Sequence, residues 1–269
     1  LACLSADRYL VTYEIVPNPL EKIKFHIYNR KMNYTLRYAM EQQHKVRHLA
    51  LILDGNRRWA TEKGLPKMMG HTEGAKNVKR IAKAAQEAGI KYLTMYILST
   101  ENLKNRSESE LKHLFTLFGR ILEFLGEFTK NNARLRLIGD ISKLPEKTQK
   151  NLYKTVEQTK DHTGITITLA ANYGGRDEIT RAVQKMIQSG TSAKDVNEEF
   201  ISQSLDTAGM PDVDLLIRTG GDQRLSNMLP WQSVYAELYF TPVKWPAFSP
   251  DDLQEALNWF AQQKRNRGK

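Results

Sequence analysis

Six short apolar runs, at 48–53, 91–98, 134–139, 165–171, 213–218 and 236–241, punctuate the chain, and segments of helical period lie between most of them. No other feature constrains the fold as tightly. Short, near-continuous apolar runs suit strands buried on both faces, and strands alternating with helices build a mostly parallel sheet. Residues 73–88 place Ala75, Val78, Ile81, Ala82 and Ala85 at helical spacing and stop at Gly89. The segment 145–161 opens on a proline, 175–189 and 195–205 follow, and 249–265 opens on Ser249-Pro250-Asp251-Asp252, a strong N-terminal signal. The expected fold is α/β: a single domain with a central, mostly parallel six-stranded sheet flanked by helices. No internal repeat or linker-like stretch interrupts it.

One segment departs from ordinary amphipathicity. Residues 107–130 carry Leu111, Leu114, Phe115, Leu117, Phe118, Ile121, Leu122, Phe124, Leu125 and Phe128, far more than a one-third stripe. Such a helix is a central core element, a dimer face or one wall of an apolar cavity.

The polar residues that carry chemistry gather where apolar runs end. The first run empties into Asp54-Gly55-Asn56-Arg57-Arg58-Trp59. Glycine lets the backbone approach an anion, and two guanidinium groups supply charge, so a small cationic turn that binds phosphate is expected. Asp54 would repel phosphate unless a divalent cation lies between them; Mg²⁺ is commonly held by one or two carboxylates plus substrate phosphates. Three further run ends share this character: Ser99-Thr100-Glu101-Asn102 with Arg106 nearby, Asn172-Tyr173-Gly174-Gly175-Arg176, and Arg218-Thr219-Gly220-Gly221-Asp222 followed by Arg224 and Ser226. In a parallel sheet the C-terminal strand ends share one edge, where α/β proteins bind ligands. Arginines and hydroxyls on one rim suit two phosphorylated groups. Ser107-x-x-Glu110 reads as a capping box, and Glu237, inside an apolar run, requires an arginine or a metal as its partner.

Composition narrows the partners. The net charge of +10 calls for an anionic partner, but the basic residues are spread along the chain, which argues against nucleic acid. The single cysteine, Cys3, excludes an internal disulfide and a cysteine zinc cluster, so a cytoplasmic setting is expected. No run reaches the roughly 20 apolar residues of a membrane span. The phosphate-binding G-x-x-x-x-G-K-[ST] and G-x-G-x-x-G and the hydrolase G-x-S-x-G patterns are all missing. Residues 1–31, with weak periodicity and Pro17 and Pro19, are expected to be an extension outside the core. The functional domain is expected over 32–269, its recognisable elements starting near residue 45.

Together these motifs resemble the cis-prenyltransferase family, the undecaprenyl diphosphate synthases or isoprenyl transferases. The resemblance rests on His48–Trp59, Gly70-His71, Ser99–Asn102, Arg134–Asp140, Ala171–Arg176, Asp214–Asn227 and Trp231–Pro246, in order over roughly 46–265. It implies a Mg²⁺-dependent enzyme that condenses isopentenyl diphosphate with an allylic diphosphate, farnesyl or geranyl diphosphate, into a Z-polyprenyl diphosphate. It also implies a hydrophobic tunnel for the product, walled by the 107–130 helix. Asp54 and Asn102 are implied as catalytic, with Asp54 and Glu237 at the metal. Substrate contacts would come from Gly55, Asn56, Arg57, Arg58, Trp59, Lys67 and His71; from Ser99, Thr100, Glu101, Leu103 and Arg106; and from Arg218, Arg224, Leu225 and Ser226. The resemblance further implies a homodimer, with Glu237 acting across its interface, no nucleic-acid partner, and peripheral contact with a bilayer for product release.

The chain departs from the family pattern at a few positions. Lys67 stands where arginine is usual, which loses the bidentate fork. Leu103 replaces a bulky aromatic, and one extra residue precedes Arg106. Gln223 stands where many members have histidine. Ile97 occupies a position often smaller in long-chain members and is expected to narrow the tunnel and shorten the product. The competing reading is a non-catalytic partner subunit of a prenyltransferase complex. Against it, Asp54, Asn102, Arg218, Arg224 and Glu237 are all present.

Overall fold

The computed structural model describes residues 46–130 and 132–265, with two short strands nearer the N-terminus. The side chains of 120–125 and 127–129 lie outside the described set, so the expectations for Ile121, Leu122, Phe124, Leu125 and Phe128 do too. Contacts divide the chain into two compact units, Leu1–Gln43 and His44–Lys269. In the first, Ser5–Ala6 pairs antiparallel with Tyr9–Leu10. The rest of the expected extension, and residues 32–45 of the expected domain, lie outside the described residues.

The second unit is an α/β domain. Its strands are β1 (His48–Ile52), β2 (Tyr92–Ser99), β3 (Arg134–Ile138), β4 (Thr166–Tyr173), β5 (Leu215–Arg218) and β6 (Glu237–Phe240). They form one sheet in the order β3-β4-β2-β1-β5-β6, every neighbouring pair parallel. Each expected strand is present to within two residues at either end. The reason is burial on both faces: β1, β4 and β5 are buried at every position, so their sequences have no polar side to break the run.

The helices are α1 (Asn56–Glu62), α2 (Lys67–Glu87), α3 (Thr100–Asn105), α4 (Glu108–Lys130), α5 (Glu146–Thr159), α6 (Gly175–Gln188), α7 (Glu198–Ser204) and α8 (Pro250–Ala261). Ser249 closes the start of α8 with a full capping box: its hydroxyl accepts the Asp252 N–H, and the Asp252 carboxylate accepts the Ser249 N–H. Two elements differ from expectation. The segment after β1 is not a small cationic turn but a helix, α1, which starts one residue past Gly55. Gly55 sits at its N-cap with φ +95°, a conformation glycine adopts without strain. The Ser99–Asn102 segment likewise coils into α3, and Ser99 Oγ caps it by accepting the Asn102 N–H at 3.0 Å.

Leu93, Met95, Ile167 and Leu169 on the sheet, Val78 and Ile81 on α2, Leu114 and Leu117 on α4, and Leu257 on α8 share one core. A smaller cluster, which includes Met228, takes the alternate strand positions Ala50, Ile52, Tyr96, Ala170 and Leu216 and so lies on the opposite face of the sheet. No described helix is long and apolar enough to cross a membrane.

Candidate active site

The C-terminal ends of β1, β2 and β5 open into one cavity of about 990 Å³. Asp54, two residues beyond β1, is fixed there through its backbone. Its N–H donates to Thr219 Oγ1 at 3.0 Å, the Thr219 hydroxyl donates back to Asp54 O at 2.8 Å, and Trp245 N–H donates to the same carbonyl at 2.9 Å. The ends of β1 and β5 are thereby tied together, and the Asp54 carboxylate projects into the cavity. Arg218, the last residue of β5, is almost fully buried and donates from Nη2 to Asp54 Oδ2 at 2.8 Å. Its Nη1 donates to Ser226 Oγ at 2.7 Å and to the Arg224 carbonyl at 2.6 Å, so this one guanidinium shapes the loop that follows. Arg218 Nε is buried with no partner. An orphaned N–H on a buried cation is costly unless an acceptor reaches it.

Arg58, one turn into α1, reaches the same place. Its Nη2 lies 3.3 Å from Asp54 Oδ1 and 3.2 Å from Asp222 Oδ2. Arg224 Nη2 lies 3.1 Å from that Asp222 oxygen, and Arg218 Nη2 lies 3.5 Å from it. Asp222 therefore stands among three arginines: desolvation raises its carboxyl, but Arg224, Asp54 and Arg58 together outweigh it and hold it below the usual carboxylate range. Six cationic side chains line the cavity (Arg57, Arg58, Lys67, Arg106, Arg218, Arg224) against three acidic ones (Asp54, Glu62, Glu101). The excess positive charge on a half-dry rim suits polyanionic ligands.

A second polar group lies under α2. His71 Nε2 is 3.2 Å from Arg106 Nη1 and 3.3 Å from Glu110 Oε1, while Arg106 Nη1 donates to Glu110 Oε1 at 2.9 Å. Burial, with Arg106 adding to it, pulls the His71 pKa down to about 4, so the imidazole is neutral at pH 7. Glu110 was expected only to close a helix. Ser107 Oγ does accept the Glu110 N–H, but the Glu110 carboxylate holds Arg106 instead. Below these groups the cavity turns apolar: Ala75 and Val78 of α2, Ile97 and Leu98 of β2, and Leu114, Leu117 and Phe118 of α4.

A family model described as "Putative undecaprenyl diphosphate synthase" matches residues 52–268. The chain belongs to this prenyltransferase family. It is 44% identical over 229 residues to an isoprenyl transferase of Clostridium perfringens, covering 82% of this chain and 88% of that one. It is also 44% identical over 227 residues to a (2E,6E)-farnesyl-diphosphate specific ditrans,polycis-undecaprenyl-diphosphate synthase of Vibrio vulnificus, covering 82% and 90%. Among solved structures it is similar to lavandulyl diphosphate synthase from Lavandula x intermedia in complex with dimethylallyl diphosphate (TM-score 0.80, 35% identity, 83% and 98% covered). It is likewise similar to a probable undecaprenyl diphosphate synthase from Campylobacter jejuni (TM-score 0.70, 35% identity, 84% and 99% covered). It is thus a prenyl-transferring enzyme.

Most residues singled out in the sequence of this prenyltransferase meet at the cavity: Asp54, Gly55, Asn56, Arg57, Arg58, Lys67, His71, Ser99, Glu101, Asn102, Arg106, Arg218, Arg224 and Ser226. Five do not line it. Trp59 turns away, and Lys63 Nζ stands 4.6 Å over its ring. Leu103 packs on the main core and Leu225 on the smaller one. Thr100 faces Gly174. Glu237 begins β6, paired in register with Leu215 at the start of β5, whereas Arg218 at the cavity pairs with Phe240 at the far end. Within one chain Glu237 is therefore at the opposite end of the sheet from Asp54. Its partner there is Arg265, with Nε 3.9 Å from Oε1. Gln223 is exposed and outside the lining. Tyr96, Asn227 and Trp245 line the cavity without having been singled out. Of the three, only Asn227 left a trace in the sequence, as a small polar residue two positions past Leu225 in an otherwise glycine- and arginine-marked loop.

Proposed function

We propose that this enzyme condenses isopentenyl diphosphate with an allylic diphosphate, farnesyl or geranyl, and elongates it into a Z-polyprenyl diphosphate. The observation that carries this reading is the pairing of two cationic cradles on one rim above one apolar cavity. Arg57 and Arg58 at the α1 N-terminus, with His71, form the allylic cradle. Arg218, Arg224 and Ser226 form the isopentenyl cradle. The apolar wall of Ala75, Val78, Leu114, Leu117 and Phe118 accepts the growing chain.

The residues fit a Mg²⁺ ion. Among the described residues no group of three or more His, Cys, Asp or Glu converges. Mg²⁺ suits that, because it keeps waters and takes substrate phosphates beside one or two carboxylates. Asp54 would hold it, and when bound the ion supplies positive charge against the departing diphosphate. Arg57 and Arg58 share that task, and Arg218 keeps the Asp54 carboxylate oriented. Asn102, which lines the cavity from α3, would serve removal of the proton from the isopentenyl carbon. Ser99 acts through position, since its hydroxyl is already committed to capping α3.

A homodimer would form through the β6 edge. Among the described residues this strand pairs on one side only; Leu238 is exposed on it, and Val234 and Tyr235 are exposed just before it. Such a face would bring Glu237 toward a second copy. The positive net charge and the apolar product suit release at an anionic bilayer surface. The test is Asp54→Ala in the presence of Mg²⁺. Turnover should fall by more than about 100-fold while the melting temperature holds. Near-normal turnover would refute the metal role of Asp54.

A further inference from the structure

We propose that Asn227 is the positioning residue that fixes the isopentenyl cradle against α3 and the start of α6. The inference rests on the two-substrate reading above. Asn227 touches two separate segments, the start of α6 and α3, with three different groups. Its carbonyl accepts the Gly175 N–H at 2.8 Å, its Oδ1 accepts the Arg176 N–H at 2.9 Å, and its Nδ2 donates to Glu101 Oε1 at 3.2 Å. The first two bonds satisfy orphan N–H groups at the start of α6, whose own N-cap, Gly174, has no side chain to do so. The third reaches α3, whose Glu101 and Asn102 line the cavity. That bond also helps hold the Glu101 carboxyl below its usual range, together with its own N–H, Ser99 and Thr100, against the opposing effect of burial.

The surroundings are shaped for this contact. A Cβ on Gly175 would lie 2.0 Å from Pro230 Cδ, and one on Gly174 would lie 2.7 Å from Asn227 Nδ2, so the diglycine is what lets the loop approach. Ser226 and Asn227 both have left-handed backbones, φ +48° and +66°, a conformation asparagine tolerates better than most residues. Ser226 is also the residue whose hydroxyl receives Arg218, and its carbonyl receives the Tyr96 hydroxyl at 3.4 Å. Holding Asn227 therefore fixes Ser226, and through it the isopentenyl cradle, against the end of β4 and against α3. Asp54, Arg58 and His71 have no bond to Asn227 among the described residues, so the allylic cradle should keep its own affinity.

Steady-state kinetics of the full chain, each diphosphate varied at saturating concentration of the other, test this. Asn227→Gly keeps the left-handed backbone and removes only the side-chain bonds. It should raise the isopentenyl diphosphate KM about tenfold and lower kcat, with the farnesyl diphosphate KM changed by less than about twofold and the melting temperature preserved. Asn227→Asp retains the acceptor for Arg176 but sets a carboxylate against Glu101. It should lose more, and Glu101→Gln added to it should restore part of the loss through a new amide donor. The proposal is overturned if the glycine variant matches the parent in every constant, or if both KM values rise together with a fallen melting temperature. A parent enzyme that elongates no primer would instead remove the two-substrate reading itself, and this proposal with it.

Discussion

Two acid–arginine clusters lie at the C-terminal ends of the strands, and they are built on opposite plans. Beyond β3 and β4, Arg181 closes on its partners. Nη1 and Nη2 grip the two oxygens of Asp206 at 2.9 and 2.6 Å, and Nε donates to Asp177 at 2.8 Å. Asp206 also takes the Gly139 N–H, and these bonds outweigh burial and hold its carboxyl below the usual range. The neighbouring Glu178 accepts the Tyr173 hydroxyl, Gln232 Nε2 and the Asp206 N–H. Beyond β1 and β5, the same residue types leave donors over. Arg218 has an unpartnered Nε, and Arg58, Arg218 and Arg224 crowd one Asp222 carboxylate. A cluster whose arginine has every nitrogen bound internally braces the fold. One with surplus cations beside a cavity is built to take an anion from outside.

Substitution separates the two plans. Arg218→Ala should cost kcat/KM between about 100- and 1000-fold, because it removes a cradle donor and frees Asp54 at once. Steady-state kinetics on both diphosphates check this, and a loss below tenfold would mean that the rim arginine is only structural. Acid should act on both halves of the molecule. His48, buried at the base of β1 between Pro211 O and Thr94 Oγ1, has its pKa pulled down to about 4 by burial, as His71 has at the rim. The unfolded chain protonates these rings near 6.5 and the folded chain does not. Stability is therefore complete above pH 6.5 and falls as the pH drops from 6.5 toward 4, by about 3 kcal/mol for each ring. Denaturant midpoints across that range should decline steadily, and a flat profile would contradict the neutral-imidazole assignment.

The closed cluster responds differently. Arg181→Ala should lower stability by about 2 kcal/mol, a shift of several degrees in melting temperature, and leave both KM values unchanged. A selective kinetic defect there would erase the distinction between the clusters. The smallest effect is expected at the apolar end of the cavity. Ile97→Ala should lengthen the product by one or more isoprene units with little change in turnover, and an unchanged product mass would show that Ile97 does not set the tunnel.

The sequence was most legible where one physical constraint dominated. Apolar runs mark all six strands, most cleanly β1, β4 and β5, which are buried at every position, so β1 to β6 could be placed from hydrophobicity alone. Asp54, Arg218, Arg224 and Ser226 could be grouped because strand ends in a parallel sheet share a rim. The helix α1 was hidden because Gly55-Asn56-Arg57-Arg58 has the composition of a turn, and only packing against α2 makes it coil. Asp222 and Asn227 carry no periodicity, and their roles depend on contacts with residues more than 100 positions away: Arg58 for one and Glu101 for the other. Glu237 teaches the reverse lesson. Its place near the N-terminal end of the apolar run at 236–241 set it toward the base of a parallel strand, away from the rim, so within one chain its carboxylate meets Arg265 and not Asp54.

The most direct test of the account is the mass of what the enzyme makes. Purified full-length chain, Mg²⁺ and isopentenyl diphosphate are incubated with either geranyl or farnesyl diphosphate, and the products are read by mass spectrometry. The two-cradle site predicts a ladder of diphosphates rising by whole isoprene units from the primer and vanishing with a chelator. Unaltered primer in every reaction, from folded protein, would contradict it.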